Sequence, residues 1–181
     1  AGLESALSHE QRVKEIARFF QTHDLVFGHG TDTASGEAYW LVRHLQGWRA
    51  DDWQSSPGPH HINEILEIAH RRVAERSPLA YLLGKTWFAG LEFNVDQRAL
   101  IPRSPLAEVI ECGFMPWISL NAGSRVLDLG TGSGCLAVAA AHYCPGVEID
   151  ATDVSPDALA LAAENVAKHG LEDHISLIQS D

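Results

Sequence analysis

Val126-Leu127-Asp128-Leu129-Gly130-Thr131-Gly132-Ser133-Gly134 opens as a short apolar run and then breaks into glycines at alternate positions. Cys135-Leu136-Ala137-Val138-Ala139-Ala140-Ala141 follows without a further breaker. The first part predicts a buried strand and the second a helix. Strand, glycine loop and helix together set backbone N–H groups and a helix N-terminus at the end of a parallel strand, where open α/β sheets bind ligands. A Cβ at such a turn would hold the backbone away from a ligand, so glycine is required.

The spacing narrows the ligand. A dinucleotide fingerprint, G-x-G-x-x-G, needs its third glycine at position 135, which is Cys135. That residue counts against a nicotinamide-dependent oxidoreductase. No Gly-Lys-Ser/Thr follows, which excludes a phosphate-binding P-loop. Downstream, Val147-Glu148-Ile149-Asp150-Ala151-Thr152-Asp153 predicts a second strand with Asp153 at its C-terminal end. A carboxylate about twenty residues past the glycines suits an adenosine ribose, whose two hydroxyls it accepts together. A helix-capping acid is the alternative for Asp153. Ser155-Pro156-Asp157 supplies an N-cap, a proline at the first helical position and a first-turn acid, and Gly170 stops the helix they start.

Composition sets wider bounds. The length suits two small domains. With no apolar run long enough to span a membrane and no signal-peptide pattern, a cytoplasmic setting without membrane contact is expected. The net charge of -11 argues against direct nucleic-acid binding, which needs cations to displace phosphate counterions, and suits a basic protein partner. Cys112, Cys135 and Cys144 are odd in number and form no C-x-x-C, so neither a disulfide framework nor a metal site is indicated. A helix N-terminus can lower the pKa of a thiol such as Cys135, but a small packing residue is the favoured reading.

Towards the N-terminus, Val13, Ile16, Ala17, Phe19 and Phe20 make one apolar stripe from about Ser8 to Thr22, with Arg12, Lys14 and Arg18 expected outward. Phe27-Gly28-His29-Gly30-Thr31-Asp32 is a tight loop in which Thr31 or Asp32 is expected to cap a helix over Glu37 to Leu45. Residues from Trp48 to His60 form a loop, and His60-His61 is expected to be solvent-exposed. Ile62 to about Glu75 is a further helix, with Arg71, Arg72 and Arg76 off its apolar stripe. Pro78 to Gly84 is a short helical turn. Thr86-Trp87-Phe88 and Leu91 to Val95 alternate around Ala89-Gly90 as a β-hairpin, with Ala99-Leu100-Ile101 as a third strand. Ser104 and Pro105 are placed as the N-cap and first residue of a helix through Cys112. The expected organisation is α/β: a helical domain at 1–85, a hairpin linker at 86–103, and part of a Rossmann-like domain at 104–181.

With these residues in view, Asp-x-Gly-x-Gly-x-Gly at the end of a first strand resembles the S-adenosylmethionine loop of Rossmann-like methyltransferases. The chain as a whole resembles the HemK-type protein-glutamine methyltransferases, and most of all the branch acting on the third large-subunit ribosomal protein. The stretches that carry the likeness are Phe27 to Asp32, Pro78 to Leu82, Trp87-Phe88-x-Gly90, Ile101-Pro102-Arg103-Ser104-Pro105, Asp128 to Cys135, and Asp153 to Leu159. The release-factor-modifying branch usually has Pro-Arg-Pro where this chain has Pro102-Arg103-Ser104. A glutamine in a release factor is thus the alternative target, and a non-catalytic interaction module the alternative role.

The resemblance implies S-adenosylmethionine as cofactor, a large-subunit ribosomal protein as substrate, and a helical domain that recognises it. It implies a cofactor site of Asp128, Gly130, Thr131, Gly132, Ser133, Gly134 and Asp153, with Asp181 at the adenine edge. Arg103 reads as a surface arginine or as a contact to substrate or cofactor. One family hallmark is missing: an Asn-Pro-Pro-Tyr tetrapeptide that positions the glutamine nitrogen, since no two of the eight prolines are adjacent. The expectations are a chain truncated towards its C-terminus, holding no catalytic residue of its own, inactive alone and prone to self-association.

Overall fold

The structure, a computed structural model, describes residues 7–28 and 30–180 and divides between Leu83 and Gly84 into two compact units. In the first, α1 (His9–Gln21), α2 (Ala34–Gln46), α3 (Ile62–Ala74) and α4 (Leu79–Leu83) surround one apolar core. The amphipathic stripe of α1 sends Val13, Ile16, Ala17 and Phe20 inward. Ser8 caps it, accepting from the Gln11 N–H while Gln11 reaches back to the Ser8 N–H. That reciprocal box satisfies two donors which the first turn would leave orphaned.

Three expectations for this unit change. Thr33, not Thr31 or Asp32, caps α2, accepting from the Gly36 N–H at 3.0 Å. Arg12 is fully buried and donates to the Gly58 carbonyl, because it shares the i+3/i+4 stripe of His9 and Ile16. Arg72 is also buried, forked against Glu37 of α2 through Nε at 2.8 Å and Nη2 at 3.2 Å. Its Nη2 donates as well to the Val26 carbonyl at 2.8 Å, and the guanidinium lies 5.9 Å from the Phe27 ring centroid. A lone arginine would be solvated, but one forked onto a carboxylate and bonded to a backbone carbonyl can be buried. The pair ties α2, α3 and the loop at 26–28 together. His60 and His61 are exposed, and His29 lies outside the described residues.

His9 is buried with its ring 4.3 Å from that of Trp48 and its Nδ1 at 3.0 Å from Gln46 Oε1. Burial holds its pKa below the ordinary 6.5. A group depressed in the fold binds fewer protons there than in the unfolded chain, so its contribution is complete above 6.5 and is lost as pH falls through the folded value. The helical unit should therefore melt lower as pH drops below 6.5, and His9→Phe should flatten that slope. An unchanged slope in the variant would remove His9 as its source.

The second unit opens with an antiparallel hairpin, β1 (Lys85–Phe88) and β2 (Leu91–Asn94). Its turn has Ala89 at φ 47 and Gly90 at φ 70. Two positive φ values in a two-residue turn match the twist of the strands. The hairpin is bolted to the helices behind it. Tyr143 Oη donates to the Ala89 carbonyl at 2.9 Å, and Lys168 Nζ bonds Glu92 at 2.8 Å. Residues 99–101 are not a strand: the Ala99 N–H bonds the Asp96 carbonyl in a turn braced by the Asp96–Arg98 pair. The next helix, α5 (Ala107–Glu111), starts later than Pro105, because the Ser104 hydroxyl is taken by the Leu106 N–H in a turn of its own.

The sheet is parallel, in the order β3-β4-β5 from β3 (Arg125–Leu129), β4 (Glu148–Asp153) and β5 (Ile175–Gln179). α6 (Cys135–Tyr143) and α7 (Pro156–Lys168) are its crossovers. Val126, Ile149 and Ile175 are in register, as are Asp128, Ala151 and Leu177. The strand period sends the alternate row, Leu129, Thr152 and Ile178, to the opposite face. There the expectation of a buried first strand fails, for Leu127 is 59% and Leu129 74% exposed. β3 pairs only with β4 among the described residues, and a parallel strand is buried only when both faces are covered.

Candidate functional site

The glycine loop leaves β3 beside the end of β4, so Asp128 and Asp153 stand at the same edge of the sheet. Thr131 N–H donates to the Thr152 carbonyl at 2.8 Å, drawing the loop across to β4. Gly132 N–H donates to Asp153 Oδ2 at 2.9 Å, and Ser155 N–H donates to Asp153 Oδ1 at 2.9 Å. One carboxylate thus ties the loop to β4 and to the start of α7, where the Ser155 hydroxyl caps by accepting from Ala158 N–H. Each oxygen holds one of these bonds and retains a lone pair for another donor. Asp128 Oδ2 accepts from the Thr131 hydroxyl at 2.6 Å.

Three of the loop's N–H groups, of Thr131, Gly132 and Gly134, are consumed inside the protein. The side chains of Thr131 and Ser133 are buried. The surface offered to a ligand is therefore made of backbone and the two carboxylates more than of those side chains. Gly134, with φ 79, is the N-terminal cap of α6, and a Cβ on it would meet Ala162 Cβ at 3.2 Å and Cα at 3.4 Å. Only glycine meets both conditions. At Gly132 the constraint is its φ of 57 more than crowding, since a Cβ would find Ala99 Cβ at 3.7 Å. At Gly130 a Cβ would find nothing within 4 Å, so that side of the loop is open.

The Ala99–Gly132 proximity brings the segment leading to Arg103 beside the loop, a neighbour that the sequence did not disclose. Arg103 itself is exposed. After β5 the Ser180 N–H donates to the Asp153 carbonyl at 3.1 Å, and Asp181 lies outside the described residues. Among the described residues no cluster of histidine, cysteine and acid is arranged to hold a metal, and no helix is long and apolar enough to cross a membrane.

Cys135 opens α6, yet burial pushes its thiol up to about 11, outweighing the hydrogen bond from Ser133 that favours the thiolate. A protonated, covered thiol packs; it does not react. Burial also raises Cys144, whereas Cys112 is exposed. At about pH 8 a maleimide should label Cys112 well ahead of the other two, as read by peptide mass spectrometry, and early labelling of Cys135 would contradict its burial.

Parallel strands, a glycine loop running into a helix, and an acid at the end of the second strand define a Rossmann-like α/β domain. The methyltransferase small domain family matches residues 114–181. A ribosomal protein uL3 glutamine methyltransferase of Xanthomonas campestris pv. campestris is 48% identical over 168 residues, covering 90% of this chain and 54% of that protein. Proteins of the same name from Bordetella pertussis and from Francisella tularensis subsp. tularensis are 44% and 40% identical, over 87% and 88% of this chain and 54% and 52% of their own. The chain is thus homologous, over nearly all its length, to the protein-glutamine methyltransferases that its motifs resemble. It spans about half the length of these relatives.

Proposed function

We propose that this chain is the recognition and cofactor-holding part of an S-adenosylmethionine-dependent methyltransferase that modifies a glutamine side-chain amide in a large-subunit ribosomal protein. The observation that carries the reading is the Asp153 carboxylate bonded to Gly132 N–H at the ends of adjacent parallel strands. Asp153 has lone pairs left for the two ribose hydroxyls, and the loop is open at Gly130, so the residues present fit the cofactor. Bound there, S-adenosylmethionine supplies a methyl group activated by its sulfonium, whose transfer needs no metal.

The glutamine nitrogen is a poor nucleophile, because its lone pair is delocalised into the carbonyl. Positioning therefore decides the rate, and no residue of this chain is assigned that task. Asp128 and the loop backbone hold the cofactor side, while the helical unit, which ends at Leu83, recognises the protein substrate, and Arg103 is a separate candidate for a substrate contact. A ribosomal protein is a basic partner for a chain of net charge -11 and places the reaction in the cytoplasm. By itself the chain is inactive and self-associates.

Asp153→Ala is expected to weaken S-adenosylmethionine by about 1.5–3 kcal/mol, the range for hydrogen bonds to a charged group. Gly134→Val should abolish the loop conformation and with it binding. Titration followed by amide chemical shifts at Gly130 to Gly134 reads both, and affinity unchanged in the two variants would sink the site.

A further inference from the structure

Among the buried residues of α7, which are Ala158, Leu161, Ala162, Asn165 and Val166, one is polar. Asn165 is fully buried, and its carboxamide makes three bonds to backbone. Oδ1 accepts from Asn94 N–H at 2.8 Å, and Nδ2 donates to the Asn94 carbonyl at 3.0 Å and to the Ser133 carbonyl at 2.9 Å. Asn94 ends β2, so the carboxamide extends the hairpin as a neighbouring peptide group would, and its remaining hydrogen reaches the glycine loop. One turn earlier on the same helix face, Ala162 fills the space that a side chain at Gly134 would need. Consecutive contacts from α7 thus set Ser133 and Gly134, directly after the Gly132 N–H that Asp153 accepts.

We propose that Asn165 is the positioning residue of the cofactor loop: it fixes the Ser133 peptide and couples the loop to the hairpin and to the segment that leads past Ala99 to Arg103. The chemistry at this position admits few substitutes. Aspartate has no hydrogen to donate and would set its charge against two carbonyls, while an aliphatic residue would take away the partner of three backbone groups, the Ser133 carbonyl among them buried. Glutamine is a methylene too long for a packed site. The proposal rests on the cofactor reading of the loop, but its structural half can be tested separately.

The test compares the 181-residue chain with its Asn165→Asp and Asn165→Ser variants, using Tyr143→Phe as the control that loosens the hairpin turn without touching the loop. Amide hydrogen exchange at Gly132 and Gly134 should quicken by about tenfold or more in both Asn165 variants, and at Asn94 in Asn165→Ser, which also loses the acceptor of that N–H. Exchange at Ile149 and Ala151 in β4 should hold, and Tyr143→Phe should leave the loop unchanged. S-adenosylmethionine titrated into the same samples should bind at least about tenfold more weakly to the Asn165 variants. Should Asn165→Asp fail to fold, Asn165→Ser, which keeps a small polar group, makes the comparison. Uniform acceleration that includes β4 would reduce Asn165 to general packing, and an unchanged loop would overturn the proposal outright. If the unmodified chain shows no cofactor-induced shift at Gly130 to Gly134, the cofactor reading fails, and the exchange data still decide whether Asn165 holds the loop.

Discussion

Arg72→Ala is expected to take about 3–5 kcal/mol from the helical unit, the cost of leaving a buried carboxylate without its partner. Glu37 and Arg72 are 2% and 3% exposed at their side chains, so water cannot replace the lost donors without opening the core. The Val26 carbonyl loses its donor as well, and Phe27 loses the cation beside its ring. Against the roughly 5–15 kcal/mol of a whole domain, this is enough to populate the unfolded form. Replacing both partners together, Arg72→Met with Glu37→Leu, should restore most of the stability, because two apolar groups of similar size leave nothing charged unpaired. Urea unfolding of the chain, with amide exchange over 9–74 to localise the effect, distinguishes the two. A single variant as stable as the parent would show the pair to be dispensable.

The same arginine shows what a sequence discloses and what it withholds. The glycine loop, Asp153, the Ser155 cap and the Ala89-Gly90 turn are legible because each is a local rule: a few residues at fixed spacing dictate one backbone geometry. Arg12 and Arg72 read as solvated charges because their acceptors, Gly58 and Glu37, lie 46 and 35 residues away along the chain. Nothing local announces such a meeting. Asn165 left a fainter trace: with Ala158, Leu161, Ala162 and Val166 on one stripe, the helical period puts position 165 on the buried face, and a polar residue there needs partners. Which partners, the hairpin and the loop, only tertiary structure supplies. Ala99–Ile101 failed in the opposite way. The apolar run suits a strand, but the Asp96–Arg98 pair turns the chain before it can pair.

No methyl transfer to a glutamine is expected from the 181-residue chain alone, and in solution it should form species larger than its 19.7 kDa monomer. The first expectation follows from what the reaction demands. A delocalised amide nitrogen must be held in line with the methyl group, and the positioning tetrapeptide of the resembling family does not occur in this sequence. The second follows from the sheet. β3 pairs with β4 on one side only among the described residues, while Leu127, Leu129 and Ile178 show 59%, 74% and 43% of their surface. A row of unpaired N–H and C=O groups flanked by leucines is a template for another strand. Leu129→Lys should break this association by placing a charge on the apolar face, leaving the cofactor loop, whose contacts run to β4 and α7, intact. Light scattering measures the mass, and incubation with labelled S-adenosylmethionine and the ribosomal protein measures transfer. A monodisperse monomer would contradict the edge argument. Methylated glutamine would show that the groups positioning the amide lie within these residues after all.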